Sequence, residues 1–222
     1  MKLINIYKQL LKENERNQKF DYVYGFNKFD IAKVALNNKE NIINREGKLL
    51  SDIWFEWISS FNEFGLAKVR LNNKWNYMNK EGKLISDIWF DYIYEFNQFV
   101  LAPVELNHQW NFINKEGELL SDIWFDYVYD FNKNGLAKVL LNNKENIINR
   151  EGKLISDIWF DVVYQFNEFG FAKVKLNNKY NLINKEGKLL FKTWYNKIKI
   201  INNNKFILIN NDKTYKVLKL NN

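Results

Sequence analysis

Gly82-Lys83-Leu84-Ile85-Ser86-Asp87-Ile88-Trp89-Phe90-Asp91-Tyr92-Ile93-Tyr94-Glu95-Phe96-Asn97 decides the fold, because it returns at a constant step. Its tryptophan has counterparts at Trp54, Trp124, Trp159 and Trp194, each 35 residues from the next. A fixed period of this length marks an array whose units cannot bury an apolar face alone and therefore stack on their neighbours. The units run over 20–54, 55–89, 90–124, 125–159 and 160–194, with a partial, decaying sixth over 195–222. Together, residues 20–222 read as one β-repeat domain.

Inside one unit the signals are those of a β-meander. Phe90, Tyr92, Tyr94 and Phe96 alternate with Asp91, Ile93 and Glu95, which predicts a strand with one aromatic face. Leu101–Leu106 then places Ala102, Val104 and Leu106 on one side, as Ala67, Val69 and Leu71 do one unit earlier. Lys33, Lys68, Lys138 and Lys173 occupy the outward position of this strand, with Pro103 in the third unit. Proline donates nothing to a ladder, so that strand is expected at an edge. Asn72-Asn73 reads as a two-residue primed turn, since Asn tolerates positive φ. Lys74–Asn79 is the next strand, and Gly82 supplies a left-handed turn position. Leu84-Ile85 is a short fourth strand, and Ser86-Asp87 turn the chain through side-chain bonds to their own backbone.

An open, curved, solenoid-like stack and a closed six-bladed propeller-like ring both fit this all-β array of meanders. The short repeat favours the open stack, because a four-stranded blade uses about 40–45 residues. Burial of the Trp54/89/124/159 and Phe61/96/131/166 rows is expected to dominate stability. Residues 1–19 fall outside the repeat. Leu3, Tyr7, Leu10 and Leu11 lie at helical spacing there and predict a short amphipathic capping helix.

The chain is 46% hydrophobic and 17% aromatic, enough for a packed core. Cysteine is absent, which excludes a disulfide framework and thiolate metal sites. No run reaches the roughly 18 apolar residues of a membrane span. The N-terminal apolar stretch is broken at Asn5, Lys8 and Gln9, so no signal peptide is recognised and a cytoplasmic location is expected. The net charge of +7 is interspersed through every unit, which makes nucleic acid an unlikely partner. The abundance of Asn and Lys reads as a base-composition effect.

Gly65-Leu66-Ala67-Lys68-Val69, followed by Asn72-Asn73-Lys74-Trp75-Asn76-Tyr77-Met78-Asn79-Lys80-Glu81-Gly82-Lys83, resembles the WG (KWG) repeat. That pattern reads approximately G-L-A-x-V, then N-G-K-W-G-Y-I-D-x-x-G-K. The resemblance extends from residue 20 to about 210. Trp75 and Trp110 keep the signature tryptophan, whereas Glu40, Glu145 and Tyr180 replace it, and the following glycine is Asn41, Asn76, Asn111, Asn146 or Asn181. Such an Asn-for-Gly row predicts a bulge at positive φ. The resemblance implies repeat architecture and a binding role, and it implies no reaction.

The chemistry of catalysis is thin. His108, the one histidine, occupies a turn position held elsewhere by Asn38, Asn73, Asn143 and Asn178. Neither a Cys–His nucleophile nor a multi-His metal site can be assembled. Asp52, Asp87, Asp122 and Asp157 form one acidic row and Glu56, Asp91, Asp126 and Asp161 another. Paired carboxylates serve glycosidases and carboxylate rows bind Ca²⁺, but an active site is asymmetric and these rows recur in every unit. Turn chemistry accounts for the first row, and solvation or pairing with the Lys33/68/138/173 row for the second. The chain is read as a non-enzyme without cofactor or metal.

Columns that vary while the framework repeats are free of the packing constraint. They are Glu40/Trp75/Trp110/Glu145/Tyr180, Trp57/Tyr92/Tyr127/Val162/Lys197 and Ala35/Arg70/Glu105/Leu140/Lys175. Trp75, Trp110, Arg70, Tyr92, Tyr127, Trp57 and Tyr180 are therefore the candidate ligand-binding residues. Aromatics with Arg are typical interface hot spots, and Trp and Tyr faces also stack on sugars. The expected function is a binding or scaffold protein that presents this aromatic, basic surface to a protein partner. A glycan-binding module using the same rings is the alternative, and packing between adjacent strands would equally explain the rings.

Overall fold

The computed structural model describes residues 20–202, 205–210 and 214–219. The expected capping helix over residues 1–19 lies outside the described residues. The described chain is all-β, in six three-stranded antiparallel sheets. The first three comprise β1 (Tyr22–Val23), β2 (Ala32–Leu36) and β3 (Lys39–Ile43); β4 (Trp57–Ile58), β5 (Leu66–Leu71) and β6 (Lys74–Asn79); and β7 (Tyr92–Ile93), β8 (Leu101–Leu106) and β9 (Gln109–Asn114). Next come β10 (Tyr127–Val128), β11 (Leu136–Leu141) and β12 (Lys144–Asn149), then β13 (Val162–Phe166), β14 (Phe171–Leu176) and β15 (Lys179–Asn184). The last sheet is β16 (Lys197–Ile200), β17 (Lys205–Ile209) and β18 (Tyr215–Lys219). Described residues up to His108 with Phe112–Leu119 form one compact unit; Gln109–Asn111 with those from Leu120 onward form the second.

The turns follow from residue type. Asn72 and Asn73 have φ of 51° and 58°, and the pair is positive in each of the other four hairpins, with Asn107-His108 in the third. Two consecutive left-handed residues make the turn whose twist matches the flanking strands. Gly82 has a φ of 81°, and its counterparts Gly47, Gly117, Gly152 and Gly187 are also positive.

Within each unit, neighbouring sheets are joined by backbone. Trp75 N–H donates to Phe90 O at 2.8 Å and Phe90 N–H to Trp75 O at 2.9 Å. The same reciprocal bridge links Glu40 to Phe55, Trp110 to Phe125, Glu145 to Phe160 and Tyr180 to Tyr195. A second contact lies at the turn glycine. A β-carbon on Gly82 would sit 2.2 Å from Leu50 O, and one on Gly117 would sit 1.6 Å from Ile85 O, so each turn rests directly on the preceding repeat's backbone.

Several expectations are corrected. The strand opening each unit does not carry an inward aromatic face: Tyr92 and Tyr94 are exposed, while Ile93 between them and Phe90 before them are buried. The fully buried row is Phe55, Phe90, Phe125 and Phe160, each 0% exposed, whereas the adjacent tryptophans are half-buried. Trp54 still packs against Phe20, and Trp194 against Phe160, with ring centroids 6.3 Å apart in each pair. Leu84-Ile85 forms no strand, only an isolated bridge from Leu84 to Met78. The sixth unit is a complete sheet built on buried Phe206 and Leu208.

Pro103 lies in the central strand of its sheet, not at an edge. The position tolerates it because its N–H would face the two-residue outer strand just past the end of that ladder. Pro103 O still accepts from Tyr94 N–H at 2.9 Å. One repeat earlier the free N–H, that of Lys68, is taken by the Ser59 hydroxyl at 2.8 Å.

The Asn41/76/111/146/181 row contains no positive φ. These side chains are wholly buried. Asn76 Nδ2 donates to Ser86 O at 2.8 Å and Ile88 O at 3.0 Å, while its Oδ1 accepts from Tyr77 N–H at 2.8 Å. The amide ties the third strand to the segment leading into the next unit, which glycine could not do. Two further rows, represented by Asn62 and Asn79, hold loops closed by accepting backbone N–H groups two and four residues ahead. The Asn content thus has a structural use beyond base composition.

Candidate functional site

The three variable columns are one feature of the sheet. Trp57 pairs with Arg70, and Arg70 with Trp75, so the columns meet as a single cross-strand rung. The same rung is Tyr127–Leu140–Glu145 in the fourth sheet and Val162–Lys175–Tyr180 in the fifth. In the second sheet it gathers three of the candidate residues. The Trp57 and Trp75 rings meet edge to face at 5.6 Å, and the Arg70 guanidinium lies 5.8 Å from the Trp75 ring. Arg70 Nε is also 3.5 Å from Glu56. Trp57 is 40% exposed, whereas Trp75 and Arg70 are half-buried.

In the second compact unit, Trp110 packs on Tyr127 at 5.4 Å and Tyr127 on Tyr129 at 5.0 Å. Tyr92 stands opposite Glu105 and is 58% exposed. Tyr180 is half-buried and keeps company with Tyr164 and Lys173, whose Nζ is 5.2 Å from its ring. Within each compact unit the rings Trp57 and Trp75, and Trp110 and Tyr127, pack in pairs.

The acidic rows are committed to structure differently from the expectation. Asp52, Asp87, Asp122 and Asp157 are exposed and, among the described residues, make no hydrogen bond. The neighbouring Ser51, Ser86, Ser121 and Ser156 hydroxyls make the turn by accepting from the backbone two residues on. The second row closes hairpins: Asp91, Asp126 and Asp161 each accept a turn N–H at 2.7 Å, from Asn107, Asn142 and Asn177. Asp91 and Asp161 pair with Lys74 and Lys144 at the start of the third strand, not with the outward Lys row.

The hydrogen bond from Lys74, joined by the Asn107 N–H, holds the Asp91 carboxyl below its ordinary value. An acid depressed on folding stabilises the fold above its unfolded pKa, near 3.9, and that contribution is lost as pH falls through the folded value. In Lys74→Met, the Asp91 pKa read from its carboxyl carbon shift should move back up toward the ordinary value. An unchanged titration would exclude Lys74 as the cause.

The outward lysines instead frame two grooves that the sequence did not reveal. Lys33 Nζ is 2.9 Å from Glu40, donates to Ile58 O at 3.2 Å and lies 4.6 Å from the Tyr24 ring. Beside it opens a cavity of about 500 Å³, floored by Ile31, Ile42, Ile58 and Phe61 and flanked by Tyr24. Three periods later, Lys138 is 2.9 Å from Glu145 and 4.2 Å from the Tyr129 ring. Here a cavity of about 400 Å³ is floored by Leu136, Ile147, Val163 and Phe166. The two sites are the same repeat position in separate compact units. Tyr77 occupies the Ile42 position one repeat on; it is 1% exposed, packs on Phe96 at 4.8 Å and donates its hydroxyl to Tyr94 O. Burial pushes that phenol well above its ordinary pKa. The visible signal was the size variation Ile42/Tyr77/Phe112/Ile147/Leu182 in a buried column.

Four segments, residues 42–75, 77–110, 110–144 and 147–180, match the family model of the WG containing repeat. The chain belongs to the WG containing repeat family. Each WG match runs from the third strand of one meander into that of the next and holds one glycine of the Gly82 row, Gly47, Gly82, Gly117 or Gly152. No curated protein matches the chain. Among solved structures, it is similar to Hsv2 of Kluyvelomyces marxianus, at 12% identity over 87% of this chain and 70% of that one, with a TM-score of 0.36. It is also similar to the WD40 β-propeller domain of Doa1, at 9% identity over 90% and 78% of the two chains, with a TM-score of 0.30. Among the described residues, no helix is long and apolar enough to cross a membrane, and no group of acidic or histidine side chains is placed to hold a metal ion.

Proposed function

We propose that this WG-repeat chain is a non-enzymatic binding or scaffold protein that engages a protein partner through the aromatic rungs of its middle repeats. The observation that carries this is the Trp57–Arg70–Trp75 rung, where two indoles and a guanidinium share one sheet face with Trp57 open to solvent. These are the residue types that dominate protein interfaces when a partner desolvates them. The non-enzymatic part is supported by the carboxylates, which recur in each unit and close hairpins. A cytoplasmic setting belongs to the same reading and rests on the sequence alone.

The test is affinity capture from a lysate of the source cell, comparing the wild type with Trp75→Ala plus Trp110→Ala. Both variant positions join the neighbouring repeat through backbone, so the fold is expected to survive, as far-UV circular dichroism would verify. Capture of a specific protein should fall by at least about tenfold, the loss expected when a hot-spot ring is removed. Undiminished capture, or tryptophan fluorescence that responds to soluble glycans instead, would overturn the proposal.

A further inference from the structure

The grooves beside Lys33 and Lys138 differ from their counterpart in the second repeat in two independent ways. The first concerns the backbone. Tyr24 N–H donates to Lys33 O at 2.8 Å and Tyr129 N–H to Lys138 O at 2.9 Å, but the reciprocal bonds are not made. The N–H groups of Lys33 and Lys138 therefore face the gap where the outer strand has left the sheet. In the second repeat the Ser59 hydroxyl takes this N–H, and in the third Pro103 has none. The second difference is volume. Tyr77 fills the space with its own ring, whereas Ile42 and Ile147 leave it open.

From these differences we infer that the two open grooves are equivalent docking sites for an aromatic side chain carried on an extended peptide of the partner. This rests on the protein-binding proposal above and names the chemistry of that binding. The ring enters over Ile42 or Ile147, as Tyr77 does from within the chain. A peptide carbonyl accepts from the open N–H of Lys33 or Lys138 and supplies the missing ladder bond. The floor, three aliphatic side chains and one phenyl ring, Phe61 or Phe166, favours a side chain over a sugar, which needs a flat aromatic platform and many polar partners. One face of the flanking Tyr24 or Tyr129 ring is already covered by a lysine. Cavities of 400–500 Å³ are of the size that holds a side chain and its adjoining backbone.

The test uses the full chain, ¹⁵N-labelled, titrated with acetyl-Thr-Tyr-Thr-amide and, separately, with acetyl-Thr-Ala-Thr-amide and cellotetraose. Saturable shifts of the Lys33 and Lys138 amides with the tyrosine peptide alone are expected. Ile42→Tyr should abolish the shift at Lys33 and leave that at Lys138, and Ile147→Tyr should do the reverse. If either tyrosine variant fails to fold, Ile42→Phe and Ile147→Phe serve the same purpose, since Phe112 already holds this place in the third repeat. Equal shifts with the alanine peptide, a response to cellotetraose only, shifts that survive both plugs, or no shifts at all would overturn the inference. In any of these cases, tryptophan-dependent capture of a partner would leave the protein-binding proposal standing.

Discussion

Gly117→Ala is expected to cost roughly 3–5 kcal/mol, among the largest effects of any single substitution in the chain. Two terms add. An alanine at a φ of 88° is strained, by about 1–2 kcal/mol for an L-residue in left-handed backbone. Its β-carbon would also lie 1.6 Å from Ile85 O and 2.4 Å from Ile85 C. Backbone cannot swing aside as a side chain does, so the turn must lift off the preceding repeat. Gly65→Ala separates the terms. Its φ is 73°, but an added β-carbon would meet Lys80 Cδ at 3.9 Å and Phe29 Cζ at 4.0 Å, ordinary contacts. It should cost only about 1–2 kcal/mol. Thermal unfolding checks both, with a midpoint drop of roughly 10 °C for Gly117→Ala. Equal losses would show that backbone strain alone matters and that the seat on Ile85 does not.

Asn76→Ala should be nearly as damaging, at about 3 kcal/mol. It deletes three hydrogen bonds of a fully buried side chain and takes that partner from two part-buried carbonyls and a buried N–H. Asn76→Asp is the more telling variant. It keeps the shape but turns a carboxylate toward Ser86 O and Ile88 O, two acceptors. The charged form is disfavoured there, so the folded-state pKa rises above the unfolded value near 3.9. An acid raised on folding loses stability as pH climbs through that interval. Urea midpoints of Asn76→Asp should therefore approach the wild type near pH 4 and fall behind it at pH 7. A difference that does not change with pH would mean the side chain does not face those carbonyls.

The sequence read most clearly where a local backbone requirement selects residue type. Asn72-Asn73 and Gly82 announced left-handed turns because few other residues accept them, and the 35-residue period gave the repeated meander. It misled where the deciding partner lies elsewhere. Asn76 looked like a substitute for a flexible glycine, because its acceptors are ten and twelve residues away. Pro103 looked like an edge marker, since nothing local says that the neighbouring ladder stops at Ile93. Tyr92 and Tyr94 alternate as a buried face would, yet the strand is two residues long and buries Ile93. For the candidate site, the varying columns were found, but not that they form one rung. The grooves stayed hidden because a change from Ile42 to Tyr77 in a buried column resembles ordinary variation until the space around it is seen.

The reciprocal bridge from Trp75 to Phe90 has a further consequence. The bridge itself uses only main chain, which is why Glu40, Trp75, Trp110, Glu145 and Tyr180 can all hold the same place, although Glu40 and Glu145 add a carboxylate that accepts from Ile58 or Val163 N–H in the next meander. The backbone bridge between consecutive meanders thus forms whichever of these groups is displayed there. Whole repeats could be duplicated, exchanged or reordered by recombination without disturbing the joint, and each rearrangement would write a new chemical pattern on the exposed rungs.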